Sequence, residues 1–153
     1  EANGGLILGS AIRKNDKALA ELMTRDAVLP ILVLLVLAKT KGCKISELLH
    51  ELPRRFTASD RLQSFSQEAS RLVLAKLASS IEPARSFFSD LGLLPVSIDQ
   101  TDGMRVLMKN GEIVHFRQSG NAPELRCYAE AAEQGRANWL VKESLRLISQ
   151  YKN

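Results

Sequence analysis

Arg117 to Arg126, RQSGNAPELR, is the stretch of this chain with the most groups able to grip an anion. Arg117 offers a planar guanidinium that can make two parallel, charge-assisted hydrogen bonds to a phosphate. Ser119 and Asn121 add side-chain donors. Gly120 lets the backbone turn so that successive N–H groups aim at one point, an anion nest. Arg126 follows on the outgoing strand and reads equally as structural or ligand-contacting. Judged by spacing alone, the same string is also a plain strand connector with a solvated arginine. Elsewhere the residue types point to structure. His115 stands beside Phe116 and Arg117 on a strand, packing or facing solvent. Arg105 either approaches the anion loop or, more simply, pairs with Asp102 or Glu112 across a hairpin. Cys127 has no histidine motif to activate it and reads as a small strand residue. Trp139 and Tyr151 read as core or rim, and Arg54, Arg55 and Arg61 as a solvated hinge.

The elements that must position the loop follow from periodicity. Val96 and Ile98 alternate with polar residues, and Asp102-Gly103 makes a turn. Met104, Val106 and Met108 alternate again, and Asn110-Gly111 is a hairpin signal because both residues tolerate positive φ. Glu112 to Arg117 is the returning strand, and Leu125 to Ala129 follows the loop. A helix from about Ala131 to Tyr151 presents Ala137, Val141, Leu145 and Ile148 on one face. Two helical segments precede the sheet, one carrying Ala69, Leu72, Val73 and Leu77, the other running from Pro83 to Asp90. Upstream, Leu6 to Leu8 is a short strand, and residues 11–24 read as a loop or short helix. Asp26 stands as N-cap to an apolar helix over 26–41, with Pro30 in its first turn and Gly42 stopping it. Ile45, Leu48, Leu49 and Leu52 then mark a second short helix. Residues 53–66 lose apolar periodicity. The fold class is α+β: a C-terminal antiparallel sheet packed with helices, preceded by a partial α/β segment.

Composition excludes several classes. The chain has 153 residues, 45% of them hydrophobic and 25% charged, enough for a buried core without disulfides or a structural metal. A net charge of +4 permits an anionic ligand, but with aromatics at 5% and no stacking pair it argues against nucleic acid. The longest apolar run, Ala27 to Ala38, is too short for a bilayer. Cys43 and Cys127 are dispersed, as are His50 and His115, so neither a disulfide framework nor a zinc site is expected. That usage fits a cytoplasmic protein. The chain opens at Glu1 without an initiator Met, as in a processed or excised piece.

RQSGNAPELRCYAEA resembles the C-terminal phosphate-binding loop of the α-D-phosphohexomutases, the phosphomannomutase/phosphoglucomutase family. DGMRVLMKNGEIVHFR resembles the hairpin leading into that loop, and TASDRLQ the entry to the last domain. RDAVLP with the apolar helix and ISELLHELP resembles the end of the third domain, and EANGG its sugar-binding loop. The match runs in order over nearly the whole chain.

By that resemblance the chain is the end of a third domain (1–53), a linker (54–66) and a fourth domain (67–153). The family transfers a phosphoryl group through a phosphoserine and Mg²⁺, whose motifs are not found here. The resemblance therefore implies no catalytic residue and no metal ligand in this chain, and Mg²⁺ only in the full-length enzyme. It implies phosphate binding by Arg117, Ser119, Gly120 and Asn121, and sugar contacts by Glu1 and Asn3. Gln118 replaces the usual Pro. Asn3 and Gly5 depart from the family's sugar string, which leaves mannose and glucose both open. The expected function is phosphomannomutase-like, with a stand-alone, non-catalytic phosphosugar- or anion-binding module as the alternative. A phosphorylated hexose is the expected partner, with self-association through the apolar helix 26–41.

Overall fold

The computed structural model describes residues 5–151, and Glu1 and Asn3 lie outside them. The chain divides into two compact units, Glu1–Pro53 and Arg54–Asn153.

In the first unit, β1 (Leu6–Leu8) pairs antiparallel with β4 (Leu22–Asp26), and β2 (Ile12–Lys14) with β3 (Lys17–Leu19). Residues 11–24, expected to be a loop or short helix, are therefore mostly strand. Asn15 and Asp16, at φ 48° and 60°, form the tight turn between β2 and β3. These are residues that tolerate left-handed backbone. Helix α1 (Val28–Lys41) starts where Asp26 Oδ1 accepts the Leu29 N–H at 2.6 Å. It stops at Gly42, whose φ is 65°. The carboxylate caps from one residue further out than expected, since Ala27 holds the N-cap position. Helix α2 (Ile45–Leu48) is short and tightens into a 3-10 turn over Leu49–Glu51.

The second unit is a two-layer α+β fold. Its antiparallel sheet runs β5 (Phe56–Gln63), β9 (Glu124–Ala131), β8 (Ile113–Gln118), β7 (Met104–Met108), β6 (Pro95–Asp99). Helices α3 (Gln67–Leu77), α4 (Ile81–Ser89) and α5 (Gln134–Gln150) share its core. Each strand of the sheet's centre alternates. Met104, Val106 and Met108 of β7, Val114 and Phe116 of β8, and Leu125, Cys127 and Ala129 of β9 are almost fully buried. They pack on Leu77, Phe88, Leu140 and Ile148 from the helices. Phe88 and Phe116 stack with centroids 6.5 Å apart. The intervening residues Arg105, His115, Arg117, Arg126 and Tyr128 are only part-buried.

Three expectations change. The segment expected as a linker contains β5, an edge strand paired over its whole length with β9. An edge strand with one polar face needs few large apolar residues, so its alternation is faint. Leu72, expected on the core face of α3, is 57% exposed, and Ser70 and Leu74 take that face. At the Asn110-Gly111 turn only Gly111 has positive φ, +81°. With Met108 N–H donating to Glu112 O at 2.8 Å, this is a longer turn closed by a left-handed glycine.

That hairpin is tied to α5 by Arg136, which donates to Glu112 Oε1 at 2.7 Å and Oε2 at 2.9 Å. Arg136 also lies 4.3 Å from the Trp139 ring centroid. The Arg136 hydrogen bonds hold the Glu112 carboxyl below its ordinary pKa, against the effect of burial. A depressed carboxylate stabilises the fold above the unfolded-state pKa, and that contribution is lost as pH falls through the folded value. Glu112→Gln is expected to cost about 1 kcal/mol at pH 7, allowing for screening at the part-exposed guanidinium. The difference from the parent should shrink below about pH 4 in urea titrations. A deficit that stays constant with pH would mean that packing, not charge, ties the hairpin down.

Candidate functional site

The loop between β8 and β9 is built from its ends inward. Ser119 N–H donates to Glu124 O at 3.0 Å, and Glu124 N–H to Ala122 O at 2.8 Å. From α3, Gln67 Nε2 donates to the carbonyls of Ser119 at 3.1 Å and Gly120 at 3.2 Å. These bonds turn two loop carbonyls toward the helix. Ser119 is 3% exposed, and its hydroxyl accepts from Asn121 N–H at 3.4 Å and from Arg126 Nη2 at 3.5 Å. The hydroxyl is thus placed centrally between the loop backbone and a guanidinium.

The structure brings Ser119, Asn121 and Arg126 together through these contacts, with Arg117 next to last in β8. Gly120 is a different case. It is not among the positive-φ glycines, so the anion nest expected of it is not required by the backbone. A Cβ there would meet nothing within 4 Å. Its contribution is open space over the loop.

Register adds what the sequence reading did not bring out. Arg61 of β5 faces Arg126 of β9, and Arg126 faces Arg117 of β8. An arginine row therefore crosses the strands beside the loop. Like charges at opposed positions repel, and Glu124 offsets this. Its carboxylate lies 3.4 Å from Arg61 Nε and 2.9 Å from Arg126 Nη2. The Glu124 hydrogen bond is the main cause that raises the Arg126 pKa, so this guanidinium stays charged. Arg61, expected in a solvated hinge, lines a cavity of about 370 Å³ with Ser59, Asp60, Arg126 and Tyr128. The signal was available as the alternation of Thr57, Ser59 and Arg61, but nothing local said which strand would pair with it.

Arg117 lines a second cavity of about 360 Å³ with Arg71, Asp102, Gly103 and Gln118. Its Nε is 3.0 Å from Asp102 Oδ1. Arg105, expected to pair with Asp102 or Glu112, instead lies 3.9 Å from Glu130. Asp102 is taken by Arg117, and Glu112 by Arg136. His115 Nε2 contacts the Asp102 carbonyl, and its ring sits 5.7 Å from that of Tyr128. Cys127 is fully buried, and burial pushes its thiol pKa far up, so it is no nucleophile. Arg55 donates to Gly111 O at 2.7 Å. Among the described residues no group of three His, Cys, Asp or Glu could hold a metal, and no helix is long and apolar enough to cross a membrane.

Chemically, the site gathers guanidinium groups, a hydroxyl and a backbone N–H within one loop and its flanking strands. It can bind and orient an oxyanion.

Residues 46–146 match the family described as phosphoglucomutase/phosphomannomutase, C-terminal domain. A phosphomannomutase of Salmonella muenchen is 43% identical over 148 residues, 95% of this chain and 30% of that protein. A phosphomannomutase of Sinorhizobium fredii (strain NBRC 101917 / NGR234) is 36% identical over 151 residues, 97% of this chain and 31% of that protein. The chain thus spans under a third of the length of these relatives.

Proposed function

The chain belongs to the phosphoglucomutase/phosphomannomutase family, and from that membership we propose that it is the phosphate-clamping C-terminal part of a phosphomannomutase. The observation that carries this reading is the convergence of Arg126 and the Asn121 N–H on the buried Ser119 hydroxyl, one residue beyond the Gln118 that separates it from Arg117. In this reading Arg117, Ser119, Gly120 and Asn121 hold the phosphate of a hexose phosphate that is not being transferred. Arg126 supports the serine hydroxyl.

Such a grip is positioning chemistry. Anchoring one end of the sugar phosphate fixes where the other end lies, so remote binding energy lowers the barrier of a step the clamp does not touch. The phosphoryl transfer from mannose 6-phosphate to mannose 1-phosphate, through a phosphoserine with Mg²⁺, is assigned to the rest of the longer protein. Glu1 and Asn3 remain proposed sugar contacts. The reading places the protein in the cytoplasm, consistent with two free thiols at Cys43 and Cys127.

The direct test is an amide NMR titration of the 153-residue chain with mannose 1-phosphate. Saturable shifts confined to Ser119, Gly120, Asn121 and their neighbours are expected at millimolar ligand. No saturable shift there up to tens of millimolar would sink the clamp reading for this chain. A loop that binds inorganic phosphate as tightly as the sugar phosphate, with no gain from the sugar, would favour the alternative, a simple anion-binding module.

The reading also proposes self-association through α1, with a second copy of this chain as the occupant. Its support is the contiguous run Ile31–Val36, each residue 45–63% exposed, apolar around the helix rather than along one stripe. Light scattering should show a dimer or larger species, and Val33→Lys should reduce it to a monomer. A monomeric parent chain at high concentration would remove this proposal.

A further inference from the structure

Among the described residues Arg117 pairs with Asp102, and the fold holds the aspartate there. The β6–β7 turn that carries it is fixed from several sides. Asp99 Oδ1 accepts from the Thr101 N–H at 2.8 Å and the Thr101 hydroxyl at 2.7 Å. Those bonds hold the Asp99 carboxyl below its ordinary pKa. Gln100 Nε2 donates to Ala78 O at 3.1 Å, anchoring the turn to the end of α3. His115 Nε2 meets the Asp102 carbonyl. Gly103 then lies so close to β8 that a Cβ there would stand 2.2 Å from Phe116 O and 3.1 Å from Arg117 Cα. The backbone at 102 is thereby pinned beside Arg117, and the carboxylate reaches Nε at 3.0 Å. None of these constraints uses the Asp102 side chain itself.

A guanidinium presents its donors in one planar fork. A carboxylate beside that fork stands where a phosphate oxygen would approach, and it neutralises the charge that attracts one. We propose that Asp102 is a built-in competitor at the anion site: its carboxylate stands in for a substrate oxyanion on Arg117, and a phosphate binds by displacing it. This rests on the clamp reading of Arg117 and deepens it. The competitor sets affinity and selectivity together. A phosphate dianion carries twice the charge of the carboxylate and displaces it, whereas a monoanion such as acetate gains little. It also keeps the clamp from holding phosphate too tightly to release it. The pair is solvent-exposed, with side chains 40% and 61% accessible, so the competition is modest and depends on ionic strength.

The test compares the parent chain with Asp102→Asn and Arg117→Ala, titrated with inorganic phosphate and with acetate at low salt. Asparagine keeps the shape of Asp102 and leaves every backbone contact of the turn in place. Asp102→Asn should bind phosphate about two- to fivefold more tightly than the parent. It should also acquire measurable acetate binding, and both gains should fade at high salt. A disturbed fold would weaken binding, so tightening has to come from the removed competitor. Unchanged or weaker phosphate binding in Asp102→Asn, while Arg117→Ala abolishes it, overturns the competitor and leaves the clamp standing. Phosphate shifts that persist in Arg117→Ala overturn the clamp itself. No binding in either the parent or Asp102→Asn overturns the proposal, because removing a competitor must bring the site into range.

Discussion

Arg117→Ala is expected to abolish the ligand-induced shifts at Ser119, Gly120 and Asn121 and to lower the kcat/KM of the proposed phosphomannomutase by about a hundred- to a thousandfold. A bidentate guanidinium–phosphate pair at a partly enclosed site contributes about 3–4 kcal/mol, and each 1.4 kcal/mol is a factor of about ten. Lysine keeps the charge but loses the fork, so Arg117→Lys should fall between the two. The same change should hardly touch folding. The Arg117 side chain is 40% exposed, and its ion pair with Asp102 is solvated, so stability should shift by about 0.5 kcal/mol or less. Steady-state kinetics and a urea melt together check this. A full-length variant with parental kcat/KM would remove Arg117 from the site, and a large loss of stability would make it structural.

Gly103→Ala is expected to destabilise the second unit by about 2–4 kcal/mol. Gly103 sits at φ +89°, a conformation that costs any other residue. The added methyl would also meet Phe116 O at 2.2 Å, and this neighbour is strand backbone in the middle of the core, not a side chain that can swing away. Relief requires the β6–β7 turn to lift from β8, which would carry Asp102 off Arg117. Gly120→Ala is the matched control. That position is outside the positive-φ set and a Cβ there has no neighbour within 4 Å, so the fold should tolerate the methyl. Any loss at Gly120 should appear in phosphate binding instead. Equal stability losses at the two glycines, measured by urea unfolding, would refute the steric account.

Much of the sheet was legible because its signals are local. Met104, Val106 and Met108 carry a period of two on one strand, and Ala137, Val141, Leu145 and Ile148 one face of a single helix. Both patterns record burial on one side, and the structure buries all seven. The Gly42 stop was legible for a similar reason, since a left-handed residue is needed there. The edge strand β5 was not, because its partner β9 lies some 70 residues further on and supplies the order that its own composition lacks. The Asn15-Asp16 hairpin was missed because its strands are three residues each and exposed, so they carry no burial pattern.

For the site the division is similar. The residue types of Arg117, Ser119 and Asn121 suit an anion loop and equally a plain strand connector, and it is the ordered family motifs around them that favour the first. Sequence by itself also determined the α+β class and, through ordered motifs, the family. Only the tertiary structure decided which charges meet. Arg61, Arg126 and Arg117 become a row through strand register. Asp102 meets Arg117 and leaves Arg105 to Glu130 because Gly103 packs on β8. Long side chains choose partners by where distant backbones are set, and that placement comes from the packing of the whole core.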